Sequence, residues 1–179
     1  MKSSMKCHVL ISLLVSLTFR GENLLYAQSE QTSSQVTGWI NWSAGPSFDG
    51  GMAAVASFNV QHKQFVISMR HTGAIDGAGL LSFGLAGESY SDHALLFRLA
   101  AQQKWAHASL ATDIARFKRT QITFFDGETV KSGIGLPLEA QLMIKVLPFA
   151  GIGATVFGNL NSDKSFGGFT LGLQIGKLR

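Results

Sequence analysis

Between Gly133 and Lys145 the sequence GIGLPLEAQLMIK separates by parity. Even positions carry Ile134, Leu136, Leu138, Ala140, Leu142 and Ile144; odd positions carry Gly135, Pro137, Glu139, Gln141, Met143 and Lys145. A period of two puts successive side chains on opposite faces of a strand, and on no single face of a helix. One face is purely aliphatic, while the other is small, polar or charged apart from Met143. The segment is about twice as long as an ordinary strand of roughly 5–6 residues. It matches the roughly 9–11 residues that a tilted strand needs to cross hydrocarbon.

The pattern recurs along the chain and predicts eight strands: Val36–Phe48, Met52–Gln61, Phe65–His71, His93–Gln102, Trp105–Phe117, Gly133–Lys145, Phe149–Phe157 and Phe166–Lys177. Their aliphatic faces are read from residues such as Phe58, Ile67, Phe97 and Leu110, and at the end from Leu171, Leu173 and Ile175. The connections alternate in length. His62–Gln64, Gln103–Lys104 and Lys145–Pro148 are short; Ser47–Gly51, Thr72–Asp92, Lys118–Ser132 and Gly158–Ser165 are longer. Short turns at one end and loops at the other is the layout of outer-membrane barrels, the turns being periplasmic. Leu80–Ala86 is also apolar, but counting it as a spanning strand would break the even number, so it is assigned to the second loop. The predicted fold is all-β, an eight-stranded antiparallel up-and-down transmembrane β-barrel.

Period two alone does not separate a membrane barrel from a soluble, lipocalin-like one. The polar face decides. A soluble outer surface is about 25–35% charged, whereas this chain is 15% charged, with most charges in turns and loops. Its polar face is built of Gly, Ser, Thr, Asn and Gln, which suit the narrow interior of eight strands. The aliphatic face then points to lipid, with Leu136, Leu138, Leu142, Leu171, Leu173 and Ile175 as its representatives. Four charges have inward parity: Arg70, Arg98, Asp113 and Glu139. Isolated, they would be costly in a low-dielectric interior; paired, they form a salt-bridged plug, and a polar wire or gate is the rival reading. Aromatic residues fall at the depths of interfacial girdles: Phe65, Trp105 and Phe149 near the turns, Phe48, Phe117, Phe157 and Phe166 near the loops. Strict parity turns Trp105, Phe149 and Phe157 inward.

The N-terminus has Lys2 and Lys6, an apolar run from Val9 to Phe19, and a polar stretch ending Leu25-Tyr26-Ala27. That is the layout of a cleaved signal peptide, assigned to residues 1–27, with a flexible lead-in at 28–35 and the barrel at 36–179. The single cysteine, Cys7, precedes the apolar run, so it does not suit a lipid anchor. Cleavage removes Lys2, Lys6, Arg20 and Glu22 and takes 15 basic and 11 acidic residues to 12 and 10. The basic balance of the whole chain is thus no argument for a nucleic-acid partner.

The segments GIGLPLEAQLMIK, GIGATVFGNLNSDKS and FGGFTLGLQIGKLR resemble the end of small outer-membrane β-barrel proteins of Bacteroidota type, whose architecture is similar to the OmpA and OmpX transmembrane domains. The resemblance covers Gly133–Arg179, and the rest of the chain by pattern. It implies an eight-stranded barrel directed to the outer membrane by its last strand, and it brings no catalytic residues. The chain ends Lys177-Leu178-Arg179 where that pattern has an aromatic residue.

His62, His71, His93 and His107 are scattered one to a segment, and no metal-ligand spacing joins them. Gly73, Gly77 and Gly79 lie in a loop with no helix behind them, so they are no nucleotide fingerprint. The Arg116-Phe117-Lys118-Arg119 run sits where the fifth strand leaves the membrane, where an anionic lipid surface would attract it. The one pair with catalytic chemistry is His107 and Ser109. A base and a nucleophile on a barrel strand resemble the lipid A deacylases, but Leu110 follows where that motif has Asn. The expected function is a structural or surface-interaction barrel with a filled lumen, without catalysis or cofactor. A lipid-modifying enzyme and a narrow channel stand as the alternatives. The expected partners are outer-membrane lipid, the barrel assembly machinery and a ligand at the loops that the sequence does not name.

Overall fold

Residues 36–82, 86–123 and 127–176 are described by a computed structural model of the chain. The expected signal peptide at 1–27, the expected lead-in at 28–35 and the terminal Lys177–Arg179 lie outside these residues.

Eight strands run up and down in chain order: β1 Thr37–Pro46, β2 Met52–His62, β3 Phe65–Ile75, β4 Gly87–Gln102, β5 Ala106–Thr123, β6 Gly127–Leu147, β7 Ala150–Asn161 and β8 Phe166–Gly176. Every neighbouring pair is antiparallel, and β1 pairs with β8 from Trp39↔Gly176 to Ala44↔Leu171, so the sheet closes on itself. Closure leaves no strand edge unpaired, the condition under which a sheet survives without water to satisfy its backbone. One short helix, α1 (Gly77–Leu81), lies between β3 and β4. Asp76 caps it by accepting from the Gly79 amide at 2.7 Å. The start of β4 closes over this turn so tightly that only glycine fits at Gly87. Its φ is 125°, and an added Cβ would fall 2.3 Å from the Gly79 nitrogen.

Burial alternates residue by residue, most regularly in β2, where the period holds from Met52 to His62. The hydrophobic sense is opposite to that of a soluble barrel. Large aliphatic and aromatic residues are exposed on the outer wall, among them Leu136, Leu138, Leu142, Leu171, Leu173 and Ile175. Asn59, Ser68, Thr72, Asp92, Arg98, Asn159 and Thr170 have no exposed surface at all. Among the described residues no helix is long and apolar enough to cross a membrane.

Several expected boundaries shift: β1 is shorter than its expected Val36–Phe48, while the larger shifts extend strands at the loop end. β3 continues to Ile75 and β4 begins at Gly87, so the second loop shrinks to 76–86, with Leu80 and Leu81 in α1. β5 and β6 continue to Thr123 and from Gly127, and their ladder runs from Ala106↔Ile144 out to Thr123↔Gly127. These extensions rise past the level at which the outer face is apolar. There Ser89, Ser91, Lys118 and Ser132 replace the aliphatic row, and the hydrophobic signal that marks a strand fades although its hydrogen bonds continue.

The aromatic assignments also change. Trp105 and Phe149 sit at the turns beside the strand ends and are exposed, contrary to parity. Phe117 and Phe166 are not girdle residues. They are buried with Phe157, Tyr90, Val55, Ala53 and Ala74 in an apolar layer at the loop end of the lumen. A second small layer holds Trp39, Val66 and Ala100 toward the turns.

Candidate functional site in the lumen

Beside a further small apolar cluster of Ala94, Leu96, Ala111 and Ala115, the lumen between these layers is polar, and three strands contribute its charges. The inward parity of β3, β4 and β6 brings Arg70, Asp92, Arg98 and Glu139 together in a chain of ion pairs. Arg70 Nη2 meets Asp92 Oδ2 at 2.7 Å, Arg70 Nη1 meets Glu139 Oε2 at 3.2 Å, and Arg98 Nη2 meets Glu139 Oε1 at 2.7 Å. All four side chains are excluded from solvent. The formal charges of the four cancel.

Neutrality does not suffice in a dry interior, because each ion must also find hydrogen bonds to replace its hydration. Arg98 donates to Ser68 Oγ at 3.3 Å through Nε and to Ser109 Oγ at 3.1 Å through Nη1. Asn159 Nδ2 donates to Asp92 Oδ2 at 2.9 Å. The Arg70 guanidinium lies 5.9 Å from the centroid of the Phe157 ring, within reach of its π face. Neutral bonds extend the network toward β1, β7 and β8. Asn41 Nδ2 donates to Gln141 Oε1 at 3.2 Å, Gln141 Nε2 donates to Thr155 Oγ1 at 3.2 Å, and the Ser43 and Thr170 hydroxyls meet at 2.9 Å. The parity of these short polar side chains was visible in the sequence; their partners were not.

Three of the four charges singled out from parity (Arg70, Arg98 and Glu139) meet here, and Asp113 does not. Asp113 is exposed, as are Thr112 and Ile114 on either side. The β5–β6 ladder stops at Thr112↔Leu138 and resumes at Ala115↔Gly135. The residue of β6 at Asp113's level is Pro137, which has no N–H to donate. Strict alternation fails over this gap. The second acid is instead Asp92, which sequence reading left at the end of a loop because Ser89–Asp92 has no aliphatic face. Its even parity, continuous with Ala94, Leu96 and Arg98, was the available signal.

His107 and Ser109 both face the lumen and are buried. No hydrogen bond joins them: Ser109 accepts from Arg98, and His107 Nε2 has no partner among the described residues. His107 instead meets Trp39 edge to face, with centroids 5.6 Å apart. A nucleophile whose oxygen is held by a guanidinium, with the base turned to an indole, lacks the proton path that acyl transfer needs. Near His107 a cavity of about 20 Å³ is lined by Trp39, Gln61 and Gln174 among others, which is room for a water-sized molecule. Among the described residues no group of three or more His, Cys, Asp or Glu could hold a metal ion.

A second ion network lies at the loop end, above the apolar belt. Arg119 binds Glu88, and also Asp163 at 2.8 Å. Lys131 reaches Asp163 at 3.0 Å and Lys164 reaches Glu88 at 2.8 Å. Burial opposes ionisation of Glu88, but hydrogen bonds from Lys164, Tyr90 and Arg119 outweigh it and hold the carboxyl at about 2. The same contacts, from Glu88 and then Tyr90, push the Lys164 ammonium up. This network ties β4, β5, β6 and the β7–β8 loop together at the rim.

No known family matches the sequence, and no curated protein does. Solved structures do match in fold. Neisserial surface protein A superposes with a TM-score of 0.58 at 12% identity, over 80% of this chain and 96% of that one. The N-terminal β-barrel domain of Pseudomonas aeruginosa OprF gives 0.60 at 11%, over 82% and 99%. Ail, the attachment invasion locus protein of Yersinia pestis, gives 0.55 at 10%, over 79% and 97%. By architecture the chain is similar to eight-stranded outer-membrane barrels, at identities that carry the fold and nothing finer.

Proposed function

We propose that this protein is an outer-membrane barrel with a structural or surface-interaction role, exported by a signal peptide cleaved near Ala27 and inserted by the barrel assembly machinery. The observation that carries the reading is the inverted distribution of polarity: an aliphatic outer wall around a lumen closed by a neutral, desolvated ion cluster. A soluble barrel would leave that wall in contact with water at a large hydrophobic cost. The filled lumen favours a plug over a channel, and the separation of His107 from Ser109 favours a non-catalytic role over deacylation. The rim network braces the loops, where a surface ligand would be met.

The test is expression in a Gram-negative host, membrane fractionation, and electrophoresis with and without boiling. The expected result is outer-membrane recovery and a compact form that changes mobility only on heating, because a closed ladder resists SDS. Recovery as a soluble protein with unchanged mobility would overturn the reading in favour of a lipocalin-like barrel. Release of fatty acid from lipopolysaccharide by the folded protein would restore the enzyme.

A further inference from the structure

One row on the outer wall breaks its apolar character. His71 of β3 is level with His93 of β4, and His93 is level with Arg116 of β5; all three are exposed. The imidazole rings stack with centroids 4.4 Å apart. His71 Nδ1 donates to the Asp92 carbonyl at 3.0 Å, which anchors the pair to β4. The next outward row toward the turns is Met69, Leu95 and Ile114; the next toward the loops is Gly73, Ser91, Lys118 and Ser132. The histidine–arginine row therefore marks the boundary between an aliphatic wall and a polar one.

A hollow of about 510 Å³ opens at this boundary, lined by His93, Leu95, Ile114, Arg116, Ser132 and Ile134 among others. Its floor is aliphatic on the mid-wall side, and its upper margin carries the polar groups. Arg116 and Lys118 both point outward and form no ion pair with a described residue. Their neighbour Arg119 faces the rim network and is occupied by Glu88 and Asp163. Two of the described acids on this hairpin are exposed outside the lumen. Asp113 is three residues deeper along β5, and Glu128, level with Ile122, is far out toward the loop. Neither stands between Arg116 and Lys118.

We propose that this hollow binds a phosphate-bearing lipid of the outer leaflet, an assignment that rests on the outer-membrane reading above. Arg116, which lines the hollow, and Lys118, on the next outward row above it, hold the phosphate, the guanidinium by paired N–H donors. His93, backed by the stacked His71, flanks the headgroup, and an acyl chain lies over Leu95, Ile114 and Ile134. A lipid fits better than a protein partner because the hollow is continuous with the lipid-facing wall, and because its polarity changes at the one height where a membrane lipid's does. Free phosphate would leave the aliphatic floor unused.

The experiment is native mass spectrometry of the refolded barrel released from detergent micelles. The probes are lipid A with its phosphates, the same lipid dephosphorylated, and inorganic phosphate. The wild type should retain the phosphorylated lipid preferentially. R116Q/K118Q should lose about thirtyfold in retention, as expected for two basic side chains at an anionic lipid surface, while K104Q at the opposite end should bind as the wild type does. Heat-shifted mobility on gels reports folding for each variant. Equal retention of both lipids by a folded wild type, or no loss in a folded R116Q/K118Q, overturns the site. Binding of inorganic phosphate as strong as that of the lipid overturns the lipid assignment, as does a dimer abolished by R116Q/K118Q in place of lipid adducts. A wild type that fails to give a heat-modifiable barrel would instead count against the outer-membrane reading itself.

Discussion

The molecule contains two ion networks that look alike on paper and differ in what surrounds them. In the lumen Asp92, Arg70, Glu139 and Arg98 are sealed from water; at the rim Glu88, Arg119, Asp163, Lys131 and Lys164 keep partial access to it. Water screens the rim pairs and can replace either partner, so their loss is cheap. In the lumen nothing replaces a missing partner, and the remaining ion is stranded. The contrast separates two uses of the same chemistry. The inner network fills the lumen between strands, and the outer one links strands and a loop at the rim.

The sharpest way to break this contrast is to delete one inner partner. Glu139→Ala strands Arg98, leaves Arg70 with Asp92 alone, and should cost about 3–5 kcal/mol of barrel stability, measured by urea unfolding in detergent. Removing Arg98 with it should recover part of the loss, as the coupling term of a double-mutant cycle. Strictly additive losses would mean that the inner charges do not act together. The wild type should show no steady conductance in a planar bilayer, and a stable ion-selective current would replace the plug with a channel.

The contrast also assumes that the outside of the barrel is lipid. Leu173 lies on the exposed face of β8, while Gly172 faces Ser43, whose Cβ would be 2.3 Å from an added Cβ. Leu173→Arg should cost roughly 2–4 kcal/mol at mid-membrane depth. Gly172→Arg should prevent closure against β1, read as loss of the heat-modifiable form. If both are neutral, the faces are assigned the wrong way round.

At the rim, Arg119→Gln should cost about 1 kcal/mol or less, and the cost should shrink further in high salt, whereas that of Glu139→Ala should not. A rim loss as large and as salt-independent as the lumen loss would erase the distinction. The smallest effect is with pH. The Glu88 carboxyl sits at about 2 in the folded protein, below the ~4.3 of an unfolded glutamate. Its contribution is complete above about pH 4.3 and is lost as pH falls toward 2. Loop protease sensitivity should rise over that window, and Glu88→Gln should flatten the change.

Strand number and the two faces of the wall are local properties, and the sequence by itself determined them. Side chains alternate along an extended chain whatever the chain packs against, so Leu136 and Leu173 declare one face while Gln141 and Gln174 declare the other. Parity also picked out Arg70, Arg98 and Glu139 as inward charges. It could not say at what depth they meet or which acid completes them, because depth depends on the register between strands far apart in sequence. Hence Asp113 stood where Asp92 belongs. Pro137 interrupts the ladder opposite Asp113 and spoils its parity, while the closed register carries Asp92 down to Arg70. The extensions of β4, β5 and β6 were hidden for a related reason: above the apolar belt the hydrophobic contrast ends, but backbone pairing does not. Only the tertiary structure decided that Arg116 and two histidines from different strands share one row, since adjacency across a sheet is set by pairing and leaves no mark along any single strand.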